Sequence, residues 1–207
     1  LLTLHISASF GAYPRFIRNI YHELHARVEE APDLFIRNTS PQLLVESRQA
    51  VSQLLNASLN EVVFVPNATT AINTVLRNLE FADGDVIVYF DSIYDACEKT
   101  IDHVCEMNNG KVAKRVVNAV YPIEDNDLVD LFRTAIRDEK EKGKRPVLAI
   151  FDTIACFPAV RMPFEHLVAV AKEGGVLSLI DGAHGVGQIH IDLARLQPDF
   201  FVSNLHK

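Results

Sequence analysis

The sequence predicts an α/β protein, a three-layer α/β/α sandwich built on a mostly parallel sheet. Three observations carry this expectation. Helical and strand patterns alternate along nearly all of the 207 residues. Residues 147–151 and 176–180 are near-continuous apolar runs, as expected of strands covered on both faces. Hydrophobic residues make up 48% and charged residues 23%, with no repeat, low-complexity stretch or long linker to interrupt a folded core.

The elements follow in order. Residues 14–30 place Phe16, Ile20, Leu24 and Val28 at i, i+4 spacing, an amphipathic helix opened by Pro14. Residues 41–56 repeat the pattern through Leu43, Leu44, Ala50, Val51, Leu54 and Leu55, with Ser40 expected as N-cap and Pro41 as the first helical residue. The short apolar run 62–65, stopped by Pro66, reads as a strand, and 68–79 as a helix. A strand at 85–90 precedes a helix at 93–107, closed by Asn108-Asn109-Gly110. The β-branched run 112–120 reads as a strand. A charged amphipathic helix at 127–142 ends at Gly143. Strands at 147–151 and 176–180 flank a helix at 164–173, and 200–202 forms a last short strand.

Composition excludes several function classes. A net charge of −7 opposes non-specific nucleic-acid binding, while leaving room for a local basic pocket. No apolar run approaches the ~18 residues of a membrane span. No signal peptide is visible. The three cysteines, Cys97, Cys105 and Cys156, are odd in number and lack metal-site spacing, which points to a reducing compartment, hence the cytoplasm. The chain begins with Leu1 rather than Met, which leaves room for a preceding segment.

Parallel sheets bind ligands outside the carboxyl ends of their strands. Four predicted strand ends carry residues suited to chemistry: Pro66-Asn67-Ala68-Thr69-Thr70-Ala71, Asp91-Ser92-Ile93-Tyr94, Asp181-Gly182-Ala183-His184-Gly185 and Ser203-Asn204-Leu205-His206-Lys207. The first places N–H groups and hydroxyls at a helix N-terminus, where an anion is favoured, although an ordinary Asn67 cap explains it equally well. Asp181 follows an apolar strand, and a buried carboxylate there needs a cationic or donor partner, such as a protonated heterocyclic nitrogen. Taken singly, His184 reads as a packed histidine, Tyr94 as a helix start and Lys207 as a surface residue. Beside Ser203 and His206 at a strand end, Lys207 becomes a candidate Schiff-base amine. A competing set, Asp181, His184, His190 and Asp192, suggests a metal hydrolase but follows no zinc spacing, and no metal is expected.

In this order the segments resemble the first part of a fold type I pyridoxal-phosphate enzyme of the class V aminotransferase group, which includes cysteine desulfurases, isopenicillin N epimerase-like proteins and fungal C–S lyases. The likeness runs through Ser9-Phe10-Gly11, Leu44-Val45-Glu46-Ser47-Arg48, the run from Val62 to Thr69, Asn73-Thr74-Val75-Leu76-Arg77-Asn78 and Tyr89 to Tyr94. It continues through Val160-Arg161-Met162-Pro163-Phe164-Glu165 and the segments at Asp181 and Ser203. It is strongest to the hercynylcysteine sulfoxide lyases of ergothioneine biosynthesis.

The resemblance implies pyridoxal 5'-phosphate as cofactor, an amino-acid substrate and a homodimer. By it, Lys207 is the catalytic Schiff-base lysine, Asp181 pairs with the pyridinium nitrogen, Tyr94 stacks on the ring and His184 donates to the phenolic oxygen. Ala68, Thr69, Ser203 and His206 supply donors to the phosphate. The implied reaction is C–S cleavage. Open alternatives are transamination, epimerisation, an annulation step of fungal secondary metabolism, which Pro158 to Glu165 resembles equally well, and a non-catalytic remnant. The family lyase carries Asn-His-Gly where Ile6, Ser7 and Ala8 stand here. The resemblance assigns residues 1–207 to an N-terminal segment and part of the large domain. The rest of that domain and a small C-terminal domain, usual source of the arginine for the substrate carboxylate, would follow.

Overall fold

The computed structural model describes residues 13–207. Ser9-Phe10-Gly11 and the Ile6, Ser7 and Ala8 departure lie outside the described residues. The chain divides into two compact units. One runs through Phe64 and takes in Ile191–Ala194 and His206–Lys207; the other comprises Val65–His190 and Arg195–Leu205.

The first unit is helical. Helix α1 (Arg15–Glu30) starts directly after Pro14, which occupies the N-cap rather than the first turn. A single turn, α2 (Pro32–Leu34), passes through a π-helical turn (Phe35–Thr39) into α3 (Ser40–Leu55). Ser40 is therefore not an N-cap: Thr39 before it is already helical, at φ −80° and ψ −47°. The run 62–65 is not a strand either. The Arg48 guanidinium donates to the carbonyls of Leu59 and Val62, at 2.7 Å each. With its acceptor captured by a side chain and Val63 left 73% exposed, this segment stays extended and joins no sheet.

The second unit carries the sheet. After α4 (Ala68–Asn78), the chain forms β1 (Asp85–Phe90), α5 (Asp95–Met107), β2 (Val112–Val117), α6 (Asp125–Glu141) and β3 (Arg145–Asp152). It closes with α7 (Phe164–Glu173), β4 (Leu177–Asp181) and β5 (Phe200–Val202), the short α8 (Leu193–Leu196) falling across the division between the units. All four pairings are parallel, in the order β2-β1-β3-β4-β5. The expected strand 112–120 ends at Val117, where the chain turns toward the Tyr121-Pro122 peptide.

Alternate residues of each strand enter opposite layers, as the period-2 geometry of a strand requires. Ile87, Tyr89, Leu148, Ile150, Leu179 and Val202 pack with Ile72 and Leu76 of α4 and Cys97 and Ile101 of α5. Val86, Val88, Phe90, Ala149, Phe151 and Ile180 pack with Phe132 of α6 and Leu167 of α7. Burial on both faces explains why all six residues of β1 are buried. Charge and turn chemistry set the helix ends: Asp125 and Asp127 lie in the first turn of α6 and Lys140 in its last, and Gly143 follows at φ +74°.

The winding of the sheet directs attention to one edge. The chain leaves β1 through α5 on one face and returns to β3 through α6 on the other. The reversal falls between β1 and β3, the switch point at which doubly wound sheets open a crevice beyond the carboxyl ends of their strands.

Candidate active site

The carboxyl ends of β1, β3, β4 and β5 bring several of the predicted residues to one edge of the second unit. Asp181 is the last residue of β4 and 4% exposed. Its Oδ1 accepts the Ala183 N–H at 2.8 Å, its Oδ2 lies 3.8 Å from the Cys97 sulfur, and its main-chain oxygen accepts the Thr153 N–H at 2.9 Å. The carboxylate is thus contacted by its own turn and by α5, while the loop after β3 holds the Asp181 backbone. Asp152, which ends β3, is the cross-strand register partner of Asp181 and is 5% exposed. With exposed Asp91 after β1, acidic residues follow or end three neighbouring strands, β1, β3 and β4, an arrangement that favours a cation at this edge. Burial, with the charges of Asp91 and Asp152, raises the Tyr121 phenol above its ordinary value, against the lowering effect of the nearby Ser92 hydroxyl.

The N-terminus of α4 is built as an N-cap. Asn67 Oδ1 accepts from the Thr70 N–H at 2.8 Å and from the Thr70 hydroxyl at 3.1 Å. The Ala68 N–H donates to Asn204 Oδ1 at 3.1 Å, tying α4 to the chain beyond β5. The N–H of Thr69 has no intrahelical acceptor by position, so it and the Thr69 hydroxyl are suited to an incoming anion. The Ser203 hydroxyl donates to the Gly182 carbonyl at 2.6 Å. For Ala68 or Ser203 to serve a phosphate, these bonds must open.

Tyr94 is the N-cap of α5 and 46% exposed, and its carbonyl accepts the N–H groups of Cys97 at 2.8 Å and Glu98 at 3.2 Å. The expected ring-stacking residue therefore stands at a strand-to-helix turn with its side chain partly open to solvent. His184 occupies the turn after Asp181 and is partly buried. His206 and Lys207 group with the first unit, where Lys207 is partly buried and His206 exposed.

Among the described residues no group of three or more His, Cys, Asp and Glu is gathered as for a metal, and Asp192 instead accepts the Asn56 side-chain amide at 2.8 Å. A mostly apolar cleft of about 310 Å³ lies between Tyr121, Ile123, Leu128, Val160, Arg161 and Met162, and none of the predicted site residues lines it.

Sequence reading missed Cys97, Asp152 and Asn204. Asp152 carried a usable signal, since like Asp181 it is a carboxylate immediately after an apolar run. Asn204 stood in a marked strand-end segment but was given no role, and Cys97 carried no signal, because their partners lie 136 and 84 residues away.

Residues 16–207 match the family model described as Aminotransferase class-V. The chain belongs to the class V aminotransferase family. Within that family, it is 39% identical over 201 residues to the L-cysteine desulfhydrase-like protein lolT1 of Epichloe uncinata, covering 97% of this chain and 44% of that protein. It is 27% identical to the hercynylcysteine sulfoxide lyase of Schizosaccharomyces pombe, covering 97% and 50%. The fold matches that of the cystine C–S lyase C-DES, solved in complex with its reaction product cysteine persulfide, with a TM-score of 0.86 at 20% identity over 100% of this chain and 54% of that one. A variant of C-DES has been solved with glycine covalently linked to its PLP cofactor. The class V chain described here thus spans about half the length of the relatives it matches.

Proposed function

We propose that this chain is the N-terminal part of a pyridoxal-phosphate-dependent C–S lyase acting on a cysteine-derived amino acid. The observation that carries the reading is Asp181, a carboxylate 4% exposed at the carboxyl edge of a parallel sheet with an N–H donor on one oxygen. A carboxylate is an acceptor-only group with several lone-pair sites, the chemistry that a protonated ring nitrogen requires of its partner. The α4 N-terminus supplies the matching anion site through Thr69, and the donor set fits a phosphorylated pyridine at both ends. When bound, the coenzyme supplies a ring that withdraws electrons from the substrate Cα.

The protein's own groups have separate tasks. Asp181 keeps the ring nitrogen protonated. Tyr94 would cover the ring face and shield it from water, and His184 would donate to the phenolic oxygen. By the family resemblance, Ala68, Ser203 and His206 would join Thr69 as donors to the phosphate. Lys207 would be the amine that holds the coenzyme and the group that takes the proton from the substrate Cα, with the β-sulfur substituent leaving with its bonding electrons. The acting form is a homodimer in the cytoplasm, in keeping with three cysteines outside any disulfide, and its partner is a small amino acid.

Reduction of the coenzyme-loaded full-length protein with borohydride, followed by peptide mapping, should place the pyridoxyl group on Lys207. Hercynylcysteine sulfoxide and cysteine should be compared for pyruvate and ammonia release, beside an amino donor with a keto acid. Pyruvate from a sulfur substrate supports the lyase; label on another lysine, or transamination alone, refutes it. A second reading, an annulation or substitution step in fungal secondary metabolism, rests on the resemblance of the stretch from Pro158 to Glu165. It predicts a bond-forming product with no pyruvate.

A further inference from the structure

Asp181 has a neighbour that the proposed chemistry does not use. Cys97 lies in the first turn of α5, is 1% exposed, and places its sulfur 3.8 Å from Asp181 Oδ2. A thiol is a weak donor and a carboxylate a strong acceptor, so the S–H points its proton at the charge. The other carboxylate oxygen is held by Ala183, and the Cys97 contact on the opposite oxygen acts on the rotation of the group about its Cβ–Cγ bond. The sulfur is in turn held in place: Cys97, Ile101 and Val104 form the buried stripe of α5, and the Cys97 N–H caps back to the Tyr94 carbonyl at 2.8 Å.

We propose that Cys97 is a positioning residue for Asp181, orienting the carboxylate toward the ring nitrogen of the coenzyme. The inference rests on the reading of Asp181 as the partner of that nitrogen. A buried cysteine that only fills space behaves as a small hydrophobe. What separates the two roles is the donor. Cys97→Ala removes it, and Cys97→Ser keeps a donor of similar size.

The test is a cycle of full-length proteins carrying Cys97→Ala or Cys97→Ser, each with Asp181 intact or as Asp181→Asn. Pyridoxal phosphate affinity is measured by equilibrium dialysis with the visible absorption band recorded, and thermal unfolding is followed without coenzyme. Cys97→Ala should weaken pyridoxal phosphate binding roughly three- to ten-fold and shift the band, as loss of one charge-assisted hydrogen bond implies. Cys97→Ser should stay within about two-fold, and the Ala effect should vanish beside Asp181→Asn. Equal weakening in both backgrounds, or a Ser variant as poor as Ala, shows that Cys97 merely packs and overturns the proposal. If the parent binds no pyridoxal phosphate, the coenzyme reading fails by itself. The coenzyme-free melts then decide the contact: non-additive shifts uphold Cys97 as the group that orients Asp181, and additive shifts reject it.

Discussion

Gly182 and Phe201 meet more closely than any side chain at position 182 would allow. A Cβ placed on Gly182 would lie 2.2 Å from Phe201 Cζ and 3.0 Å from the Val202 carbonyl oxygen. The approach lets the Gly182 N–H reach that same oxygen at 2.7 Å, while the Gly182 carbonyl accepts the Ser203 hydroxyl at 2.6 Å. The glycine therefore joins the chain leaving β4 to the chain leaving β5, and so sets the spacing between the Asp181 and Ser203 segments of the site.

Gly182→Ala should destabilise the protein by about 1–3 kcal/mol, the usual cost of forcing an added carbon into a packed site. Thermal unfolding measures it. Because the closest obstruction is the ring of Phe201, the double variant Gly182→Ala/Phe201→Ala should lose less than the sum of its parts. A Gly182→Ala protein that melts with the parent would show that the ring moves aside freely.

Acid stability should depend on Asp85. Its side chain is buried at the start of β1, with Oδ1 2.6 Å from Arg145 Nε and Oδ2 accepting the Ala82 N–H at 2.8 Å. Burial pushes this carboxyl upward, but the Arg145 hydrogen bond and charge and the Ala82 N–H together hold it below its ordinary value of 3.8. A depressed folded value means that the stabilisation is present above the unfolded value and is lost as pH falls through the folded one. Asp85→Asn should lower the Tm by several degrees near neutrality, and the gap from the parent should narrow below about pH 4. A gap independent of pH would rule out the ion pair as its source.

Alkaline stability should depend on Tyr89. Its ring is fully buried on β1 and its hydroxyl lies 3.2 Å from Glu98 Oε1. The phenol is pushed up to about 12, chiefly by burial, with Glu98 adding and Lys114 opposing. The unfolded chain gives up this proton near 10, before the folded chain does. Stability should therefore fall as pH rises from about 10 to 12, and Tyr89→Phe should flatten that fall at a modest cost near neutrality. Denaturant midpoints across this range, with tyrosinate absorbance as the companion signal, make the comparison; identical slopes would contradict it.

Much of the fold was legible because burial imprints a period on the chain. The bounds of Phe164–Glu173 and Phe200–Val202 coincide with those expected, and β1 with its six buried residues was equally plain. The strand ends that carry Asp181 and Ser203 could be marked as a site because a parallel sheet sends all its carboxyl ends to one edge. The π-helical turn before α3 was not legible, since Ser40-Pro41 has the composition of a helix start and only the preceding turn makes it a continuation.

Local pattern was therefore enough for the class of fold and the alternation of elements, since both depend on which residues an element buries against its neighbours, and the ordered motifs at the strand ends were enough for the family resemblance. The tertiary structure alone decided which side chain captures which distant group. Arg48 takes the carbonyls of Leu59 and Val62, so that an apolar run with the composition of a strand joins no sheet. Asn204 takes the Ala68 N–H from 136 residues away, and Cys97 meets Asp181 across 84. Such pairings follow from how helices settle on the sheet, and no period in the sequence records them.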